Sequence, residues 1–250
     1  MPQERILITV RTYPTPSSQY LETVCTGGIT EGGEWRRLYP IPLRYLDGNQ
    51  KFHTYDIIRS DVTIPRSDRR PESRSPDNRT IEVQGHLDEW DSKANWVRSA
   101  GFFETITAME EQGRSMGMIY PANVDDILIE EDSAEWTAEQ LEKLNQQQLF
   151  ISENKPLEKV PRKFWLVWKD VQGKSNKSRI LSWEIHQTWR NWRTRYLNVD
   201  ERVREKFMND ICGDTIDLGL YIGNYAMHPQ HFAILGFYHP PKGTIHDTLW

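Results

Sequence analysis

The chain has 250 residues, 37% of them hydrophobic and 27% charged, with a formal net charge of −5. This balance excludes a disordered or fibrous polymer and fits a globular chain able to bury a sizeable core. Two cysteines, Cys25 and Cys212, are too few for a disulfide framework or a four-thiolate zinc site, and no run approaches the roughly 18 apolar residues of a membrane span.

The first residues lead straight into the apolar run Ile6–Val10 without a basic leader region or a cleavage site, so a reducing cytoplasm is expected, with no membrane partner. Charge is sorted along the chain. Residues 34–79 carry 10 basic and 7 acidic side chains, residues 82–158 carry 5 and 17, and residues 159–206 carry 13 and 5. Two basic arms therefore flank an acidic middle, and a negative total does not exclude a polyanionic ligand, because local potential decides binding.

In chain order, residues 5–11 read as a strand, closed by the proline-fixed loop at 13–18. Residues 21–30 read as a second strand with a bend at Gly27-Gly28, and Glu31-Gly32-Gly33 as a hairpin turn. In the next strand Trp35, Arg37 and Tyr39 fall on one face, Arg36 and Leu38 on the other. Residues 55–64 alternate as a further strand. Short strands, glycine bends and tight turns predict a small barrel or half-barrel. Residues 65–79, with five arginines and three prolines, are expected to form either a solvated loop or an arginine-rich arm that engages phosphate, and not a core strand.

The middle reads as a helix over 92–112 capped by Ser92, strands at 117–120 and 126–130, and a short helix after the capping-box sequence Thr137-Ala-Glu-Gln140. Residues 164–169 and 178–183 form a predicted hairpin. The apolar positions Ile185, Trp189, Trp192, Tyr196, Val199, Val203 and Phe207 then trace a helical seam, interrupted near Asn198. Two closing strands, 218–225 and 232–238, enclose a polar loop. The expected class is α+β. The expected divisions are a β domain at 1–85, an acidic, mostly helical segment at 86–158, and a hairpin, helix and strand half at 159–250. No internal repeat is visible beyond strand-rich ends around a helical centre.

Several motifs, spread over nearly the whole chain, carry a resemblance: Arg11-Thr-Tyr-Pro-Thr-Pro-Ser17, Gly33-Glu-Trp-Arg-Arg-Leu-Tyr-Pro-Ile-Pro-Leu-Arg44, Arg70-Pro-Glu-Ser-Arg74, Trp183-Glu-Ile185 and Asp217-Leu-Gly-Leu-Tyr-Ile-Gly-Asn224. The chain resembles an uncharacterised group of bacterial proteins found among phage-defence and mobile-element genes. Its N-terminal third is similar to the dual OB-like domains of such loci. The resemblance implies an OB-like N-terminus, antiviral defence and nucleic-acid handling, with a defence-locus protein as a further partner. It supplies no catalytic residues. Some relatives carry Cys and His in the hairpin before Trp183; here the turn at 169–177 has neither, so no metal is expected.

No phosphate-cradling loop, dinucleotide fingerprint, nucleophile elbow or zinc-deaminase signature is present, and no cofactor is expected. Two constellations remain. Glu184 and His186, with Asp217, Asn224, His228 and His231, suit a carboxylate that activates water and an amide that orients a base, provided the first pair sits at a strand end. Trp35, Arg36, Arg37, Tyr39 and Arg44, with Arg70 and Arg74 from the arm and Arg190 and Arg193 from the helix, suit phosphate contact and base stacking. The leading expectation is a DNA-binding protein of phage defence. The alternative is a DNA glycosylase or nuclease acting on modified phage bases, and a third reading is an interaction subunit with a tryptophan-lined interface.

Overall fold

The structure is a computed structural model and describes residues 2–17, 22–148 and 157–244. It is α+β. The first seven strands are β1 (Gln3–Arg11), β2 (Thr15–Pro16), β3 (Glu22–Thr30), β4 (Trp35–Ile41), β5 (Asp56–Thr63), β6 (Ser73–Pro76) and β7 (Glu82–His86). Five of them close into a ring in the order β1-β3-β4-β6-β5 and back to β1. Every neighbouring pair is antiparallel except β4 and β6. That is OB-like connectivity.

Alternation fills the barrel: Ile6, Ile8, Val24, Leu38, Ile41, Ile58 and Val62 point inward, and Phe52 from the connection before β5 plugs one end. A register shift between Ile8 and Val10 turns Val10 to the outer face. The predicted turn at 31–33 is present, with Gly33 at φ +78°, where a Cβ would lie 2.2 Å from the Ser99 carbonyl oxygen. The arginine-rich arm differs from expectation. Its Ser73–Pro76 portion is a barrel strand, because Pro76 ends the strand and the intervening side chains lie half-buried at the edge where β4 and β5 converge.

The expected single helix over 92–112 is two: α1 (Trp90–Ala100) and α2 (Ile106–Glu111). Gly101, at φ +70°, ends the first, and Thr105 starts the second by accepting the Ala108 N–H at 3.0 Å. Glu89 rather than Ser92 occupies the N-cap of α1. After β8 (Met116–Ile119) and β9 (Asn123–Glu131), α3 (Ala138–Gln148) begins with the anticipated reciprocal bonds between Thr137 and Gln140, at 3.3 and 3.0 Å.

The remaining elements are β10 (Arg162–Lys169), β11 (Ser175–Arg179), α4 (Trp183–Trp192), α5 (Val199–Asp210), β12 (Gly219–Asn224) and β13 (Phe232–Tyr238). They form a second ring. β8 and β9 act as one bent strand, β8 pairing with β12 and β9 with β10. β10 pairs with β11 and β12 with β13, and a parallel bridge between Ile180 and Ile234 closes the circle. The ring order matches that of the first barrel, with an isolated parallel bridge at Ile180, just past β11, in the place of the β4–β6 ladder. Phe164, Leu166, Trp168, Leu220, Ile222 and Ile234 fill it, and Ile185 of α4 with Val203 and Phe207 of α5 join the same core. The acidic middle is therefore not a segment apart: its strands are the first strand of the second barrel. The repeat lies in topology, beneath sequences that share no visible period.

The barrels pack face to face. Val10, Ile29 and Trp35 from the first meet Met116, Met118, Tyr221, Ala233 and Leu235 from the second. The Tyr13 N–H donates to the Leu181 carbonyl at 2.9 Å, which stitches the two chains of strands together.

Candidate nucleic-acid interface

The surface expected on β4 is largely spent inside the protein. Trp35 is buried with its ring 5.9 Å from that of Tyr221. Arg37 is buried too, donating to the Ser115 carbonyl at 2.9 Å and to Cys25 Sγ at 3.5 Å. Arg36 is held by both oxygens of Glu4, at 2.8 and 3.0 Å, and by Glu34 at 2.6 Å. Arg44 pairs with the buried carboxylate of Glu22 at 2.7 Å. Arg70 grips Asp68 at 2.6 Å and reaches the Asn224 carbonyl at 2.8 Å. Arg74 donates to the Pro71 and Ser73 carbonyls at 3.0 and 2.7 Å. Arg190 and Arg193 share Glu158. Of the nine residues Tyr39, at 45%, and Arg193, at 37% of its side chain, are exposed; the other seven are buried or half-buried. The alternation read from the sequence is correct, but the second barrel covers the outward face, and neutralising carboxylates come from Glu4, Glu22, Glu34 and Asp68 in the first barrel and from Glu158 at the end of the acidic middle.

The expected catalytic set does not assemble. Glu184 and His186 lie on α4 rather than at a strand end, and positions two apart on a helix do not face each other. Glu184 is exposed and accepts from Thr54 at 3.3 Å. His186 is buried, bonds the Ser182 carbonyl through Nδ1 at 2.8 Å and stacks on Tyr13 at 5.0 Å; burial lowers its pKa to about 4, so it is neutral at pH 7. Asp217 precedes β12 and Asn224 ends it, which separates them by roughly 20 Å of extended chain. Asn224 is bound to Ser115, Pro229 and Arg70. Among the described residues no group of three or more His, Cys, Asp or Glu is placed to hold a metal ion.

An open face exists elsewhere. In OB-like barrels the outer surface of strands two and three, flanked by the loops after strands one and four, is the usual ligand platform. In the first barrel that surface is the one buried against its neighbour. In the second it is β10 and β11, with the 225–231 loop at its edge, and among the described residues its outward side chains stay half-buried or exposed. Because inward and outward side chains alternate, Trp165, Lys177 and Arg179 project outward while Phe164, Leu166 and Ser178 project inward. The half-buried Trp165 ring carries the Lys177 ammonium at 4.8 Å and the Arg179 guanidinium at 5.1 Å. Glu130 of β9 steadies this group, accepting from Trp165 Nε1 at 2.9 Å and Lys177 at 2.8 Å.

Trp165, Lys177, Arg179, Tyr225, His228 and His231 wall a depression of about 550 Å³. The Arg179 Nη1 atom is buried without a hydrogen-bond partner among the described residues, and desolvation lowers the pKa of this guanidinium. Burial also raises the Tyr225 phenol. On the other side of the 225–231 loop, a second depression of about 700 Å³ is lined by Arg69, Arg70, Arg114 and Asn224, and shares Gln230 and Phe232 with the first. The arginine-rich loop of the first barrel therefore does meet the second barrel, at its loop edge. The sequence predicts this hairpin but singles out none of Trp165, Lys177 and Arg179, because nothing local shows that this hairpin, and not β4, keeps its outer face open.

A closed five-stranded barrel of OB-like connectivity, packed through its sheet on a second ring of two three-stranded sheets joined by a single bridge, defines a two-unit α+β protein. The chain belongs to the DUF8757 family, a domain of unknown function that matches residues 101–249. Residues 2–99 match a second domain of unknown function, DUF8758. The boundary between the matches falls at Ala100, the last residue of α1, so the strands of each ring lie within one matched segment. No curated protein matches the chain.

Proposed function

We propose that this protein binds single-stranded nucleic acid, DNA in the phage-defence setting its motifs resemble, on the outer face of β10 and β11. The observation that carries the reading is Trp165, half-buried on the outer face of β10, with Lys177 and Arg179 against its ring. An indole offers every base the same π-face, worth roughly 1–3 kcal/mol per stacked base. The flanking cations suit the phosphates on either side, and a guanidinium with a buried, unpartnered nitrogen favours an anion over water. The Lys177–Glu130 pair is exposed on both sides, so exchanging that carboxylate for phosphate costs little.

The test is fluorescence anisotropy with labelled single-stranded DNA, single-stranded RNA and duplex DNA across 50 to 200 mM salt. The expected result is single-strand binding that weakens steeply with salt and is lost in the double variant Trp165→Ala, Arg179→Ala. Binding that ignores salt, or that survives this variant, overturns the reading. For the defence role, bacteria expressing the protein should plate phage less efficiently than bacteria expressing the double variant; equal plating removes that part.

A further inference from the structure

The Thr12–Thr15 motif has no part in the platform, yet it walls a small cavity at one end of it. Tyr13 and Pro14 from the first barrel, Trp136 from the segment before α3, and Lys159, Arg162 and Arg179 enclose about 170 Å³ where β10 begins and β11 ends. Its floor includes the neutral imidazole of His186, stacked on Tyr13. Arg179 lines both this cavity and the 550 Å³ depression, so the two spaces adjoin at that residue.

Charge and size both restrict the occupant. Three cations face the space against one carboxylate, Asp132, which Lys159 approaches at 3.8 Å. Arg162 is already engaged by Asp200 at 2.8 Å, and Lys159 also donates to the Glu135 carbonyl at 3.0 Å. Arg179 alone keeps a buried nitrogen unsatisfied. A desolvated guanidinium beside a second cation calls for a multivalent oxyanion, since phosphate accepts several N–H bonds at once. A cavity of about 150 Å³ holds a group the size of benzene, whereas sites for whole drug-sized ligands start near 300 Å³. The space therefore takes a phosphate group and excludes an entire nucleotide.

We infer that this cavity recognises a terminal phosphate, with the attached nucleotide lying outward toward the Trp165 platform. This deepens the proposed function and rests on it: a strand on β10 and β11 would be read at its end as well as along its length. The phosphate belongs either to a strand terminus or to a free mononucleotide, and the same chemistry serves both.

The experiment compares three oligothymidylates of one length, bearing a 5′-phosphate, a 3′-phosphate or hydroxyls at both ends, by competition anisotropy on the full chain. One phosphorylated form is expected to bind about tenfold tighter than the hydroxyl form. Lys159→Ala is expected to abolish that preference and leave the hydroxyl oligomer's affinity unchanged. The ³¹P resonance of the favoured terminal phosphate should shift on adding wild-type protein, a readout that does not depend on the variant folding. Displacement of the favoured oligomer by thymidine monophosphate at similar concentration assigns the phosphate to free nucleotides; resistance assigns it to strand ends. Equal affinity of all three oligomers, with no ³¹P shift, overturns the inference while leaving strand binding intact. Absence of any oligonucleotide binding overturns the reading beneath it.

Discussion

Glu22 shows how a single ionisable side chain on this scaffold sets a measurable pH dependence. Its carboxylate is 2% exposed, and burial raises its pKa to about 7 despite Arg44 at 2.7 Å. A carboxyl whose folded pKa lies above its unfolded value of 4.5 favours the folded state most below pH 4.5, and that contribution is lost as pH rises toward 7. His186 works in the opposite direction: its pKa is lowered to about 4, so its contribution is present above 6.5 and fades as pH falls. The two oppose each other in the wild type, and the difference between wild type and Glu22→Gln isolates the first. Urea unfolding of both proteins at pH 5 and pH 7.5 should show the variant gaining roughly 2–3 kcal/mol relative to wild type between the two pH values. A difference that does not change with pH refutes the assignment. Glu72 is the contrasting case. It is 1% exposed and accepts from the Ser115 hydroxyl at 2.5 Å and the Ser115 N–H at 3.3 Å, at the junction of the barrels. Glu72→Ala leaves both donors buried without an acceptor and should cost roughly 2–4 kcal/mol by chemical denaturation, several times the loss from an exposed carboxylate such as Glu82.

The β10–β11 hairpin is the element on which the functional reading turns, and its predictions separate binding from folding. Trp165 is half-buried on an outer face, so Trp165→Ala should cost about 1 kcal/mol or less of stability while weakening single-strand affinity by roughly 5- to 100-fold. Glu130→Gln removes the carboxylate that competes with phosphate for Lys177, so affinity should rise and the salt dependence steepen; unchanged affinity would mean that Lys177 never leaves Glu130. Much at this scale was legible in the sequence. The apolar strand at Phe164–Lys169, the capping box at Thr137 and the seam broken at Asn198 each report local physics, and the structure keeps them. What failed was non-local. Ser73–Pro76 has no strand pattern of its own and becomes one only because β4 and β5 leave a gap that a short extended segment closes. Trp183 was read as the end of a strand, yet it opens α4, because the chain leaves the ring after the Ile180–Ile234 bridge. The fate of Arg36 and Arg37 was decided by Glu4 and Ser115, distant partners no local window contains.

At the scale of the molecule, the two barrels are bound too closely to unfold one at a time. The seam buries Val10, Ile29, Trp35, Met116, Tyr221 and Leu235 in one cluster, and each would be stranded in water if its partner barrel melted first. Polar links reinforce it: Arg37 of the first barrel donates to Ser115 of the second, Glu72 returns the contact, and the Tyr13 N–H bonds Leu181. Close approach of the sheets depends on Gly236, where a Cβ would sit 2.7 Å from Val10 Cγ1, a branched side chain with little freedom to move. Scanning calorimetry of the full chain should therefore show one transition, with van't Hoff and calorimetric enthalpies that agree. Gly236→Val overpacks the seam by roughly 1–3 kcal/mol and should lower that single transition by about 3–10 °C without splitting it. If the barrels were independent, the wild type would already show two transitions, or the substitution would shift one of two and leave the other in place. The same coupling bears on function. The first barrel's platform is spent on this seam, so it supports the second, and a seam variant that still folds at 25 °C should keep its single-strand affinity.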